Sequence, residues 1–214
     1  MSKSNKYGYS GVDIPTQAFQ ANVGKFDPAE INELVANEQW TQYGQLEHIE
    51  TISATSVSVV DFTNIKSDIY DVHFATYIIE KPSGGSAHYP GWQFAESGTM
   101  ETASVYYGTA KWFSITGSGN NVQDATSVRI GVGIGSSYQM IFGGYCYFYN
   151  LGDSTKFSYA TGQISLAETG GTVFNTTYAG VLRQGTSSFV DQIRFKGDST
   201  LTSAKISLYG IRYA

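Results

Sequence analysis

Short runs in which apolar residues occupy every second position dominate the sequence beyond about residue 45, and they restrict the chain to β structure. The clearest run is 128–134, VRIGVGI, where the first residue and every second one after it is Val or Ile. The run 145–149, YCYFY, places its tyrosines on one face and Cys146 on the other. A period of two puts successive side chains on opposite faces of a strand. Further strands are predicted at 57–62, 69–79, 91–96, 103–115, 156–166, 173–183, 190–196 and 203–212.

Glycine-rich clusters separate these runs. They read KPSGGSAHYPG, TGSGNN, NLGDST, ETGGT and KGDST along the chain, and such residues favour turns. Within 57–62 the apolar parity shifts between Val59 and Val60, which predicts a bulge or a bend. About nine to ten short strands at this spacing are typical of a sandwich or barrel. The predicted fold class is therefore all-β, a two-sheet jelly-roll sandwich with a short N-terminal arm containing one helix.

The N-terminal arm is predicted to cover residues 1–45, and the jelly-roll domain residues 46–214. A helix is expected at about 28–39, because Asp27 is a suitable N-cap and Glu30 completes a capping box. A helix of about three turns is not stable alone in water. It must dock either on its own domain or on a partner, and both readings stay open. The residues predicted to anchor the arm are Ile14, Phe19, Phe26, Ile31, Leu34, Val35 and Trp40.

The charge balance excludes some classes of function. The net charge is −5 and no window clusters Lys or Arg, so nucleic acid is not an expected partner. Charged residues make up 14%, against about 25% in an average protein. This low share fits either a surface hidden in an assembly or a surface rich in Ser, Thr and Gly.

Neither a disulfide nor a membrane span is expected. Cys146 is the one cysteine, so no intrachain disulfide forms, and a buried inert thiol is predicted. The start, MSKSNKYGYSG, has no apolar region after its lysines and does not resemble a secretory signal. The longest apolar run, Met140–Tyr149, is interrupted by glycines and is far shorter than the ~20 residues of a membrane helix. The membrane is therefore not an expected partner.

The sequence lacks catalytic and metal-binding motifs. The histidines, His48, His73 and His88, do not have metal-ligand spacing, so neither a metal nor a cofactor is expected. Asp71 and His73 share a predicted strand face, and His73 is interpreted as an interface or surface histidine. The acidic residues that could form a glycosidase pair are Glu96, Glu101, Asp124, Asp153, Glu168, Asp191 and Asp198. A turn role is expected for each, and no catalytic residue is named.

Aromatic residues are the sequence feature that indicates a binding surface. The chain contains 16 Tyr and 12 Phe. Tyrosine and tryptophan suit interfaces and sugar stacking, but aromatics also fill β cores. The loop from His88 to Trp92 is predicted to form an exposed contact. The candidate contacts for a glycan or a partner are His88, Tyr89, Trp92 and Tyr107.

Two segments resemble a jelly-roll module of tailed-phage virion proteins. The segment VVDFTNIKSDIYDVHFATYIIE is similar to the opening of that module, and FVDQIRFKGDSTLTSAKISLYGIRYA is similar to its closing pair of strands. The resemblance covers about residues 46–214, and its C-terminal part is the more specific. The matching positions are Phe62, Ile65, Tyr70, Asp71, Ile193, Phe195, Gly197, Leu208, Tyr209, Gly210 and Ile211.

The resemblance implies a non-enzymatic virion structural protein, such as a capsid decoration protein or a component of a head, neck or tail fibre. It implies a homotrimer that is assembled in the host cytoplasm and attached by its arm to capsid, neck or tail proteins. The arm itself resembles segments in proteins of cyanobacterial phages. The family shares no catalytic residues. The alternative is a carbohydrate-binding module that recognises a host-surface glycan at a fibre tip, and a glycan depolymerase is less favoured.

Overall fold

The computed structural model describes residues 46–84, 90–114, 117–130, 139–168, 171, 173–183 and 189–211. Contacts divide the chain into two units, Met1–Gln45 with Tyr213–Ala214, and Leu46–Arg212. In the first unit Ala29, Asn32, Glu33 and Ala36 are described, and all four are helical and exposed. The rest of the predicted helix 28–39 and all the predicted anchoring residues lie outside the described part. These are Ile14, Phe19, Phe26, Ile31, Leu34, Val35 and Trp40.

The second unit is built from antiparallel strands. The all-β prediction is confirmed, whereas the two-sheet closure stays a prediction. The strands are β1 (Leu46–Phe62), β2 (Val72–Lys81), β3 (Gly91–Glu96), β4 (Thr99–Met100), β5 (Tyr106–Ser114), β6 (Gly117–Ala125), β7 (Val128–Arg129), β8 (Met140–Tyr149), β9 (Tyr159–Glu168), β10 (Val173–Leu182) and β11 (Val190–Ile211). The described strands form one curled sheet with the order β4-β3-β11-β2-β8-β9-β10-β5-β6, while β1 pairs with β11 and β7 with β3.

Strand β11 joins the parts of the sheet. One edge pairs with β1 along most of its length. On the other edge it pairs with β3 through residues 190–196 and with β2 through 203–211. The prediction of two strands separated by a KGDST turn is therefore wrong. Opposite the step from Val57 to Val59, β11 passes from Leu201 to Lys196, so the extra residues form a bulge inside a continuous strand. The bulge or bend predicted near Val59 is confirmed as a register shift between Val57 and Val59, with the extra residues on β11.

One predicted turn is corrected by pairing, and one predicted strand is only partly described. The TGSGNN segment was expected to be a turn, but Gly117–Ala125 is a strand whose Gly117 pairs with Ser114. Pairing with β5 outweighs the weak strand propensity of Gly and Asn. The run 128–134 was expected to form one strand, yet only Val128–Arg129 pairs within the described residues. The buried Ile130 follows outside the strand, and 131–138 lie outside the described residues.

Aromatic side chains on the inner face fill the core. Trp92 is fully buried, and its ring centroid lies 5.0 Å from that of Phe148 and 5.1 Å from that of Phe195. Such edge-to-face pairs add stability beyond the burial of apolar area. Cys146 is also buried, as predicted, and burial raises the pKa of its thiol. A neutral thiol in this position is a packing group rather than a nucleophile.

A small hydroxyl network lies inside this aromatic core. The hydroxyls of Tyr77 and Tyr178 are 3.2 Å apart, and the indole N–H of Trp92 donates to Tyr178 at 3.3 Å. The Tyr178 hydroxyl in turn donates to the backbone carbonyl of Tyr145 at 3.2 Å. Burial raises the pKa of both tyrosines, so they stay neutral donors and acceptors. The network satisfies polar atoms that would otherwise destabilise the core.

The prediction that His73 lies at a surface or interface is wrong for this domain. His73 is fully buried, while its neighbour Asp71 is exposed. The imidazole Nε2 lies 2.7 Å from the carbonyl oxygen of Ile65, and Nδ1 has no hydrogen-bond partner among the described residues. Strand β2 turns this side chain inward, where protonation would place an uncompensated charge. Burial lowers the pKa of His73, opposed by the hydrogen bond to Ile65.

We expect the unfolding free energy to fall as pH decreases below about 6.5, the unperturbed histidine pKa. The unfolded chain then takes up a proton on His73, whereas the folded chain, with its lowered pKa, does so only at lower pH. His73→Gln keeps a donor for Ile65 and removes the titration. Urea unfolding of the wild type and the variant between pH 7.5 and 5 measures how steeply the unfolding free energy of each protein changes with pH. Equal pH dependence of the two proteins would contradict the assignment.

Candidate functional site

The structure places the predicted contact residues in different environments. His88 and Tyr89 lie outside the described residues. Trp92 is wrong as an exposed contact, because β3 carries it on its inner face, where 0% of its surface is accessible. Tyr107 is on the outer face of β5 and is 38% exposed. Of these candidates, Tyr107 is therefore the one that the structure places at a surface.

An aromatic row crosses the outer face of the sheet. It runs from Tyr209 on β11 to Phe74 on β2, with ring centroids 6.2 Å apart, and from Phe74 to Tyr147 on β8 at 4.7 Å. Tyr149 follows on β8, and it stacks on Tyr159 of β9 at 4.8 Å with an interplanar angle of 14°. The tyrosine alternation in 145–149 indicated the part on β8. The remainder could not be predicted, because neighbours across strands depend on register.

The aromatic row ends at an open groove of about 870 Å³. Tyr107, Phe157 and Tyr159 contribute rings to the groove and are 38%, 53% and 40% exposed. Val181 on β10 pairs with Tyr107 on one side and with Tyr159 on the other. The two tyrosines are therefore two strand spacings apart, or about 10 Å. This groove is lined by Tyr107, Gly108, Thr109, Asn150, Thr155, Lys156, Phe157, Tyr159, Ala160, Ala179, Gly180 and Val181.

The turn between β8 and β9 forms one side of the groove. Asp153 accepts hydrogen bonds from the backbone N–H of Thr155 at 2.9 Å and from its hydroxyl at 2.6 Å. The Lys156 ammonium lies 2.7 Å from the same carboxylate. The side-chain hydrogen bond from Lys156, followed by those from Thr155, holds the pKa of Asp153 well below its usual range. Asn150 donates to the carbonyl of Phe157 at 3.2 Å, which fixes the segment that presents the Phe157 ring. The predicted turn role of Asp153 is confirmed.

Arg183 lies beside the groove, directly after β10. Its guanidinium carbon is 4.7 Å from the ring centroid of Tyr107, and it donates a hydrogen bond to the Tyr107 hydroxyl. A cation held over an aromatic face keeps most of its N–H donors free. Within the part of the chain that the structure describes, Arg183 makes no ion pair. It therefore presents a positioned, exposed positive charge next to Tyr107.

A polar ladder continues from the aromatic row towards β10. Gln163 accepts a hydrogen bond from the Tyr145 hydroxyl at 3.3 Å and donates to Asn175 at 2.8 Å. Asn175 donates to the Ser165 hydroxyl at 3.0 Å. These side chains tie the outer faces of β8, β9 and β10 together.

The acidic residues do not form a metal centre among the described residues, where no group of three or more His, Cys, Asp or Glu could hold an ion. Burial, and then the charge of Glu101, raise the pKa of Glu96. The structure thus brings these two carboxylates near one another. The side chains of Asp124, Glu168 and Asp198 are outside the description. In the described part, no helix has the length and apolar character needed to cross a bilayer.

Comparisons with known proteins give a weak structural similarity. No protein-family model matches the chain, and no curated protein matches it. A solved structure of infectious bursal disease virus, Gt strain, is 10% identical, with 80% of this chain and 39% of the other chain covered and a TM-score of 0.14. The chain thus spans well under half of that protein's length. A TM-score of this size carries no argument about fold or function.

Proposed function

We propose that the chain is a non-enzymatic structural protein of a tailed-phage virion. In this proposal residues 46–214 form a two-sheet jelly-roll sandwich that is displayed outward, as in a capsid decoration or fibre component. Residues 1–45 attach it to capsid, neck or tail proteins. The mature protein is a homotrimer located in the virion after assembly in the host cytoplasm.

The exposed apolar surface over β2 and β8 is the observation that carries the proposal. Ile78 is 62% exposed and Ile141 is 55% exposed, and both are on the outer face. Ile78 pairs with Gly143 on β8 and with Lys205 on β11. Because Gly143 has no side chain, nothing on β8 covers Ile78. The two isoleucines are close diagonal neighbours in the register, so they form a contiguous patch of the kind found at subunit contacts.

Three further observations support association rather than catalysis. The charged share of the chain is 14%, which suits a protein whose surface is partly covered in an assembly. The aromatic row on the outer face adds Tyr and Phe, which are enriched at interfaces. The division of the chain at Leu46 suits an arm that works separately from the domain.

Replacing both isoleucines with aspartate is expected to break the trimer. Ile78→Asp/Ile141→Asp would place unpaired charges in a desolvated contact, which costs several kcal/mol. Size-exclusion chromatography with light scattering should show a trimer for the wild type and a monomer for the double variant. Ile69→Asp is the matched control, because Ile69 is 39% exposed in the turn before β2, at the opposite end of that strand from Ile78, and should leave the trimer intact.

A wild-type protein that stays monomeric at micromolar concentration would contradict the assembly, as would a double variant that still forms trimers. Circular dichroism separates loss of association from loss of fold. Immunogold labelling of phage particles with an antibody to the chain then tests the location. Unlabelled particles that assemble normally would refute a virion role.

A further inference from the structure

We propose that the groove between Tyr107 and Tyr159 binds a carboxylated saccharide, with Arg183 recognising the carboxylate. This is a ligand site on β5, β9 and β10, separate from the β2–β8 patch assigned to subunit contact. It therefore goes beyond the structural role and does not depend on it.

The dimensions and lining of the groove fit short saccharides. A volume of about 870 Å³ is within the ~300–1,000 Å³ of small-molecule sites. Tyr107 and Tyr159 are about two strand spacings apart, ~10 Å, with Val181 between them. That separation accommodates two adjacent sugar rings. Aromatic faces offer a surface for the C–H groups of a pyranose, while the tyrosine hydroxyls stay at the rim as polar handles.

Polar groups surround these rings in the way a sugar requires. Thr109, Asn150 and Thr155 are among the lining residues, and their side chains carry hydroxyl and amide groups that can pair with sugar hydroxyls. The Asn150 side chain is already oriented by its bond to Phe157, and Thr155 by Asp153. Pre-oriented polar groups lower the entropic cost of binding. A purely aliphatic ligand would not use the remaining hydrogen-bonding capacity of these side chains, which disfavours it.

The charges favour a carboxylate. The whole chain carries −5, so an anionic ligand binds only where cations are locally in excess. Lys156 is paired with Asp153 at 2.7 Å, whereas Arg183 is held over Tyr107 by its ring contact and hydroxyl bond. A fixed guanidinium matches a carboxylate in planar, two-bond geometry. Arg183 covers one face of Tyr107, so an acidic sugar would pack against the uncovered part of this ring, with its carboxylate beside the guanidinium.

The same strand contains a built-in control. Lys111 on β5 lies 5.3 Å from the centre of the Phe113 ring, so β5 displays a second cation–aromatic pair on the same outer face. Neither residue lines the groove. Substitutions in this pair test for effects of charge or exposed aromatic area that are not specific to the groove.

The experiment uses the full chain, a glycan array of carboxylated and neutral saccharides, and calorimetry with tetragalacturonate and cellotetraose as paired probes. We expect array binding to be confined to carboxylated glycans, with weaker binding as salt rises. Arg183→Gln and Tyr159→Ala should each weaken binding to the best array glycan about tenfold or more, because the first removes a charge-assisted hydrogen bond and the second removes a stacking face. Lys111→Gln and Phe113→Ala should change it by less than about twofold, the range of typical surface substitutions.

Failure to bind any carboxylated glycan would overturn the proposal, and so would equal binding of acidic and neutral glycans. Equal losses in the groove variants and the control pair would also overturn it. If Tyr159→Ala or Arg183→Gln changes the oligomeric state, the groove holds a second copy of the chain instead. Because trimer formation is measured separately through Ile78 and Ile141, failure of the glycan site and failure of the structural proposal are distinguishable.

Discussion

Replacing Trp92 with alanine is expected to lower the free energy of unfolding by about 3–5 kcal/mol. The side chain is fully buried at the centre of the core. Its removal leaves a cavity between the rings of Phe148 and Phe195, whose centroids lie 5.0 Å and 5.1 Å from the indole. The Tyr178 hydroxyl also loses the indole donor at 3.3 Å. Both losses act on the same part of the core.

Urea unfolding followed by circular dichroism measures this change. Trp112→Ala is the matched control, because Trp112 is half-buried near the end of β5, where its ring lies 5.9 Å from Phe174. Trp112→Ala should lower the unfolding free energy by less than half as much as Trp92→Ala. A loss below about 1 kcal/mol for Trp92→Ala, the ordinary effect of a point mutation, would show that the core is not organised around this indole. Because Trp92 is buried, a loss of glycan binding in Trp92→Ala would reflect unfolding rather than the loss of a direct contact with the glycan.

Gly144→Ala is expected to be at least as damaging as other overpacked core substitutions, about 3 kcal/mol or more. An added Cβ would lie 2.2 Å from the carbonyl oxygen of Gln163 and 2.8 Å from the hydroxyl of Tyr77. The first neighbour is backbone of the adjacent strand and cannot rotate away. The second belongs to the buried hydroxyl network, so relieving the clash would break hydrogen bonds in the core.

The neighbouring glycine provides the control. A Cβ on Gly143 would meet its nearest atom, the carbonyl oxygen of Tyr77, at 3.5 Å, an ordinary contact distance. Gly143→Ala should therefore be neutral or slightly stabilising, because alanine reduces the freedom of the unfolded chain. Thermal unfolding of the two variants measures the difference. Equal melting temperatures would contradict the close packing of β8 against β9.

Gly143 and Gly144 are adjacent residues of the same type, and they differ in which face of β8 they occupy. Alternation along β8 places Gly144 inward with Cys146, and Gly143 outward with Tyr145. The alternation was readable from the sequence. That the inner position must be glycine follows from Tyr77 and Gln163, which are far away in the chain and arrive by pairing.

The sequence by itself determined the class of fold and much of its strand pattern. Alternation predicted the faces of residues 145–149 on β8, the parity shift predicted a bulge or bend near Val59, and Asp153 was placed in a turn. These features depend on neighbours a few residues away, so local patterns contain them. The free thiol of Cys146 followed from composition and from the apolar run around it.

Tertiary structure alone decided the rest. It joined the predicted strands at 190–196 and from 203 onward into the single strand Val190–Ile211, placed Trp92 in the core instead of at an expected contact, and buried His73. It also brought Tyr107, Phe157 and Tyr159 to one groove and Arg183 to the face of Tyr107. The physical reason is that register between strands distant in sequence sets which side chains are neighbours, and a period of two gives each residue a face but not a partner.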